Sequence, residues 1–214
     1  MALATGFVLA GGHSTRLGQD KVLLMWDGGT LLEVALRKLR AVCGDGTNKE
    51  DGGGVYICTS RKDLGQYAPV LPDAADAAGP LGGIVAALEK TCTDWGLFLP
   101  VDLPMVPVVF LSGLLERAHQ GTALAVVPFF AGRPQPLCAA YHRDLLPGLR
   151  RALREGKYKV MQAIEQAALR PDGTSAIDRL DIHAPDQAPW FLNINTPEDL
   201  EQARAQVRAT SGIL

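Results

Sequence analysis

LAGGHSTRLGQDK, residues 9–21, overlaps the end of the apolar run GFVLA, residues 6–10. A short continuous apolar run bounded by glycine reads as a strand buried on both faces, the kind that parallel α/β sheets use. Gly11, Gly12 and Gly18 let the backbone approach a ligand with no Cβ in the way, so that successive N–H groups can point at phosphate oxygens. Arg16 and Lys21 supply the charge such a cradle needs for a triphosphate, with Ser14 beside them. Two better-known phosphate loops do not fit. The dinucleotide pattern G-x-G-x-x-G requires glycines that alternate, whereas Gly11 and Gly12 are adjacent. In the triphosphatase pattern G-x-x-x-x-G-K-[ST] a lysine follows the last glycine, whereas Gly18 is followed by Gln19 and lies one residue too far from Gly12.

Outward from this loop the chain alternates short apolar runs with longer amphipathic stretches. Residues 55–59, 69–71, 95–101, 122–128 and 134–141 read as further strands, and 30–42, 80–90 and 107–119 place Leu, Val and Ala at helical spacing. The pattern predicts a doubly wound, mostly parallel sheet covered by helices, a three-layer α/β/α fold. GDGTNKEDGGG, residues 44–54, has no apolar residue to bury and reads as a mobile surface loop. In the last third, helices are expected over 143–155 and 160–169 and a strand over 176–182. A final helix follows, with Thr196 as its N-cap and Pro197 in its first turn. There is no internal repeat, and the length suits a single domain over 1–214, with a nucleotide-binding half to about residue 105 and an acceptor-binding half from about residue 106.

Composition narrows the function classes. The 214 residues include 21 Lys and Arg against 23 Asp and Glu, a formal charge of −2, which argues against a protein that coats a nucleic-acid backbone. The chain is 47% hydrophobic, enough for a substantial core. Cys43, Cys58, Cys92 and Cys138 form no C-x-x-C pair, so reduced thiols in a cytoplasmic protein are expected rather than a zinc site or disulfides. No apolar run approaches the roughly 18 residues of a membrane span, and no signal peptide is expected.

Asp102, in LFLPVDLPMVP (97–107), lies at the carboxyl end of a strongly apolar strand, where open α/β sheets form their ligand crevice. One carboxylate there, with Pro104 to fix the chain, suits Mg2+ that keeps several waters and bridges nucleotide phosphates. The expected strand tips of Gly11 and Asp102 share one edge of a parallel sheet. The histidines at 13, 119, 142 and 183 show no ligand spacing and read as surface or helix-end residues. No Ser-His-Asp or Cys-His set points to a covalent intermediate.

The stretch 9–21 closely resembles the L-A-G-G-x-S-x-R-M-G-x-D-K signature of the molybdenum cofactor guanylyltransferases, with Leu17 where Met is usual. Asp20 and Lys21 together favour that branch over related cytidylyl and sugar-nucleotide enzymes. PDAADAAGPLGGI (72–84), the P-x-D-x-P portion of 97–107, RPQPLCAAYH (133–142) and FLNINTPEDL (191–200) resemble further family segments. The resemblance implies a Rossmann-like fold of the nucleotide-diphospho-sugar-transferase type. It also implies that Leu9, Ala10 and Gly11 with Lys21 cradle base and phosphates, that Asp73 contacts the nucleotide, and that Gly79, Pro80, Leu81, Gly82 and Gly83 make a second backbone approach. Asp102 becomes the metal ligand. Where the family usually has an Asn after the second strand, VYICTSR places Ser60, which offers only part of an amide's hydrogen bonding.

GKYKVM (156–161) resembles the segment associated with the pterin-phosphate substrate, which implies that Lys159, and secondarily Lys157, pairs with the anionic acceptor. Asn193 and Asn195 are available as polar ligands near metal or acceptor, because Thr196 serves the helix cap. The arginines at 150, 151 and 154 read as a solvated helix face. The reaction implied is transfer of GMP from GTP to the terminal phosphate of molybdopterin, with Arg16, Lys21 and Mg2+ at Asp102 supplying alignment and charge. Molybdenum-insertion or cofactor-carrier proteins are the implied partners, with no nucleic acid or membrane. Two rival readings stand beside it: a cytidylyl or sugar-phosphate nucleotidyltransferase, and a non-catalytic nucleotide-binding module.

Overall fold

β1 (Thr5–Leu9) is buried along its whole length because it has a parallel neighbour on each side and helices over both faces. A computed structural model describes residues 4–11, 20–45, 54–73, 79–183 and 185–211. The elements after β1 are β2 (Met25–Trp26), β3 (Gly29–Thr30), α1 (Leu31–Cys43), β4 (Gly54–Cys58), β5 (Val70–Leu71), α2 (Pro80–Lys90), β6 (Trp95–Pro100) and α3 (Val108–Gln120). The second half adds β7 (Ala125–Phe130), β8 (Arg133–Pro134), β9 (Ala140–His142), α4 (Leu146–Arg154), α5 (Val160–Ala167), β10 (Ile177–Ile182) and α6 (Pro197–Ser211).

Among the described residues the main sheet runs β10-β7-β9-β6-β1-β4-β5, with β8 beside β7. The pairs β1/β4, β1/β6, β4/β5 and β7/β10 are parallel, while β9 runs antiparallel between β6 and β7. This is the mostly parallel α/β/α architecture the sequence predicts. Leu9 stands opposite both Cys58 and Pro100, so three strands end flush at one edge. Alternate strand residues face different helices. Val8 belongs to one buried cluster with Leu36 and Leu39 of α1 and Leu111 and Leu114 of α3, whereas Phe7 and Leu9 belong to another with Ile84 of α2, Leu149 of α4 and Ile164 of α5. No helix of the described residues is long and apolar enough to cross a membrane.

The structure differs from the sequence reading in particular places. The expected strand over 134–141 is two short strands, β8 and β9, separated by a turn; Pro134 and Pro136 remove backbone donors from that stretch. The expected helix over 143–155 begins as a 3-10 turn, Arg143–Leu145, before α4. The β2–β3 hairpin is not anticipated at all, although its turn, Asp27–Gly28 with φ of 44° and 74°, carries the Asp-Gly signal for paired left-handed residues. Thr30 then caps α1 through a reciprocal pair with Glu33. Most of the expected loop over 44–54 lies outside the described residues.

Gly148 marks a close contact between α4 and α5. A Cβ there would come within 2.6 Å of the Ala167 Cβ and 2.7 Å of its Cα. Helix propensity alone favours Ala over Gly by about 1 kcal/mol. The neighbour is backbone and cannot step aside, so Gly148→Ala is expected to destabilise the fold by about 1–3 kcal/mol. A urea midpoint equal to or above that of the wild type would overturn this expectation.

Candidate active site

The site grows from the flush carboxyl ends of β4, β1 and β6. The amide of Ala10 donates to the Cys58 carbonyl at 3.1 Å, and that of Val101 donates to the Leu9 carbonyl at 3.1 Å. Leu9 and Ala10 are buried, so what they offer a ligand is backbone. Gly11 is exposed, with nothing among the described residues within 4 Å of where a Cβ would stand, which leaves room for close approach. Gly12, Ser14, Arg16 and Gly18 lie outside the described residues, as does His13.

The chain re-enters at Asp20, whose carboxylate caps a 3-10 turn, Lys21–Leu23, by accepting from the Val22 amide at 3.2 Å. This turn sends the Lys21 ammonium across to Asp102. Lys21 Nζ lies 2.8 Å from Asp102 Oδ2 and donates to Asn195 Oδ1 at 2.7 Å. Both charged side chains are largely shielded, Lys21 at 12% and Asp102 at 21% exposure, so their attraction is screened less than that of a surface pair. Asn195 arrives from 174 residues away in sequence because the Ile194 amide donates to the Asp102 carbonyl at 3.0 Å. Thr196 caps α6 as expected, its Oγ1 accepting from the Asp199 amide, while the Asp199 carboxylate accepts from the amides of Asn195 and Thr196. The Asn195 side chain is thereby left for Lys21.

Behind Asp102, the turn is held from α1. The Lys38 ammonium donates to the carbonyls of Pro104 and of Val106, the latter at 2.7 Å. Burial, with Arg37 beside it, lowers the Lys38 pKa to about 8.

On the other flank, α2 presents its N-terminus to the same edge. Gly79, at φ 58° and ψ −149°, makes the entry turn, and Pro80 occupies the first turn. Gly82 and Gly83 are buried, and a Cβ at Gly83 would come within 3.2 Å of Asp73 Oδ1 and 3.4 Å of Cys58 Cβ. The absence of a side chain at Gly83 thus seats the Asp73 carboxylate against the start of α2, where the helix dipole favours negative charge. Leu81 is fully buried, so only its backbone can take part. Burial pushes the Cys58 thiol up to about 12, with Asp73 adding to the shift; Cys43 and Cys138 are likewise raised to about 12 by burial. None of these three thiols is a ready nucleophile.

Other expected site residues are not brought into this cluster. Ser60 is exposed just beyond β4, Asn193 is exposed, and Lys159 is exposed at the N-cap position of α5. β9 ends with His142 opposite Trp95, at the starting edge of β6, and α4 lies against α2, with Arg150 donating to Glu89 at 2.7 Å. Among the described residues no group of three or more His, Cys, Asp or Glu is placed to hold a metal ion. A cleft of about 370 Å³ between the β2–β3 hairpin and α6 contains none of these residues.

The family model described as the MobA-like NTP transferase domain matches residues 6–170. A relative from Bacillus thuringiensis (strain Al Hakam), named "Probable molybdenum cofactor guanylyltransferase", is 32% identical over 212 residues, covering 95% of this chain and 97% of the relative. The chain belongs to the MobA-like NTP transferase family. Solved structures share its fold. Molybdopterin-guanine dinucleotide biosynthesis protein A from Archaeoglobus fulgidus superposes with a TM-score of 0.75 at 22% identity, over 96% of this chain and 99% of that one. A cytidylyltransferase from Leptospira borgpetersenii superposes at 0.66 and 16% identity, over 98% and 88%.

Within this MobA-like chain the sequence reading left one group of polar residues without a role. Arg61 Nη1 lies 2.5 Å from Asp20 Oδ2, and its Nε and Nη2 reach the two carboxylate oxygens of Asp63 at 3.2 and 2.5 Å. Asp20 stands inside the glycine-loop signature and Arg61 directly follows Ser60, but a sequence separation of 41 hides their pairing from any local pattern.

Proposed function

We propose that this chain is a molybdenum cofactor guanylyltransferase. The observation that carries the reading is the meeting of Lys21, Asp102 and Asn195 at the carboxyl edge of β1 and β6, beside the N-terminus of α2. In the reaction an oxygen of the terminal phosphate of molybdopterin forms a bond to the α-phosphorus of GTP. The bond from that phosphorus to the bridging oxygen breaks, and pyrophosphate leaves with the electron pair. Such a step needs alignment and charge neutralisation rather than a covalent nucleophile, which suits a site built from a lysine, a carboxylate and backbone amides.

In this reading Leu9, Ala10 and Gly11 offer backbone to the nucleotide, with Gly12, Ser14, Arg16 and Gly18 continuing the phosphate cradle. Lys21 releases Asp102 and turns to the phosphates as GTP enters. Asp73 and the Gly79–Gly83 turn approach base or ribose, as does Ser60. The acceptor meets Lys159, with Asn193 at the rim. The Asp102 carboxylate and the Asn195 amide oxygen are hard oxygen donors that would hold Mg2+, an ion that needs few protein ligands. When bound, Mg2+ neutralises charge on the phosphate oxygens.

The test is pyrophosphate release from GTP, CTP, ATP and UTP in Mg2+, with and without molybdopterin. Release only with GTP and molybdopterin is expected. Preference for CTP would favour the cytidylyltransferase reading, for which Ser60 in place of the usual Asn is the specific observation. Turnover with a sugar phosphate and none with molybdopterin would sink the proposal.

A further inference from the structure

We infer that Arg61 is a positioning residue for Lys21, acting through Asp20. Arg61 does not reach the Lys21 ammonium. It holds two carboxylates at once, Asp20 on one side and Asp63, in paired contact, on the other. The Asp63 contact fixes the plane of the guanidinium, because two donors of a rigid fork meet the two oxygens of one carboxylate. The Arg61 backbone is itself tied to the end of β4, its amide donating to Thr59 Oγ1 at 3.3 Å, with Thr59 buried. Asp20 therefore receives a cation fixed to the sheet.

The other oxygen of Asp20 accepts from the Val22 amide and starts the 3-10 turn whose first residue is Lys21. Asp20 Oδ2 is held by Arg61 and Oδ1 caps the turn, so loss of the ion pair frees the cap to rotate. Lys21 needs that restraint, because its long side chain must bring one ammonium to the edge where it meets Asp102 and Asn195 and from which it turns to the phosphates. A free lysine chain loses rotamer entropy when ordered, and a pre-formed turn lowers the share lost at each turnover. The result is a continuous linkage from the tip of β4 to the tip of β6, passing over β1.

This inference rests on the role proposed for Lys21, so one measurement is independent of turnover. Lys21 is labelled with an amine-reactive reagent and followed by peptide mass spectrometry in the full chain. Arg61→Gln and Asp20→Asn are each expected to raise the Lys21 labelling rate about fivefold while the melting temperature holds; Asp20→Asn keeps a good helix-capping group, so its effect isolates the ion pair. Each is expected to lower kcat/KM about tenfold in the wild-type background and by less than about twofold in a Lys21→Met background, as residues acting through one group do. Unchanged Lys21 labelling in both variants overturns the inference, as does an Arg61→Gln loss of the same size with and without Lys21. A wild type that releases no pyrophosphate from any triphosphate sinks the proposed function, while labelling still decides the role of Arg61.

Discussion

Replacing Asp102 with alanine is expected to lower kcat by about 1,000-fold, or roughly 4 kcal/mol of transition-state stabilisation, with the fold intact. The size follows from what the carboxylate does in the proposed reaction: among the described residues it is the carboxylate that meets the Lys21 ammonium beside Asn195, and it is the expected Mg2+ ligand. The backbone around it is held by other means. Its carbonyl accepts from Ile194, and Lys38 grips the carbonyls of Pro104 and Val106, so the turn survives loss of the side chain. Turnover with a Mg2+ titration and a melting curve, on Asp102→Ala and the isosteric Asp102→Asn, separate these effects. Substantial Mg2+-dependent turnover in Asp102→Ala would remove it from the metal role.

Lys21→Met is expected to reduce kcat/KM by about 100- to 1,000-fold, mostly in kcat, since the ammonium meets the phosphates more strongly as charge develops in the transition state. It is also expected to cost about 1–3 kcal/mol of stability, because removal of one member of a shielded ion pair leaves the other carboxylate without its cation. The two consequences differ in direction once metal is present. A divalent cation at Asp102 replaces the missing charge, so added Mg2+ is expected to restore the melting temperature of Lys21→Met without restoring its kcat. A variant whose kcat stays within about tenfold of wild type would show that Lys21 only balances Asp102.

Much of the site is written locally. The continuous apolar run before Gly11 reads as a buried parallel strand, because such strands have no solvent face to mark. The adjacent Gly79 and Pro80 mark a helix start, and Thr196 with Pro197 marks another. These are short-range effects of backbone freedom and capping, so a few neighbouring residues suffice to reveal them. The Asp27–Gly28 hairpin was equally local and its signal stands in the sequence, but strands of two residues carry no periodicity.

Long-range pairing is of another kind. That Asn195 rather than Asn193 meets Lys21, that Asp20 is held by Arg61, and that Gly148 has no room for a methyl group all depend on segments brought together by the sheet order and by helix crossings. The glycine-loop motif, the apolar strand ending near Asp102 and the resemblance they carry determined the family-level architecture from the sequence alone. Which polar groups join across that edge was decided only by the tertiary structure, because a hydrogen bond depends on a distance of about 3 Å, and 81 residues separate Lys21 from Asp102 along the chain.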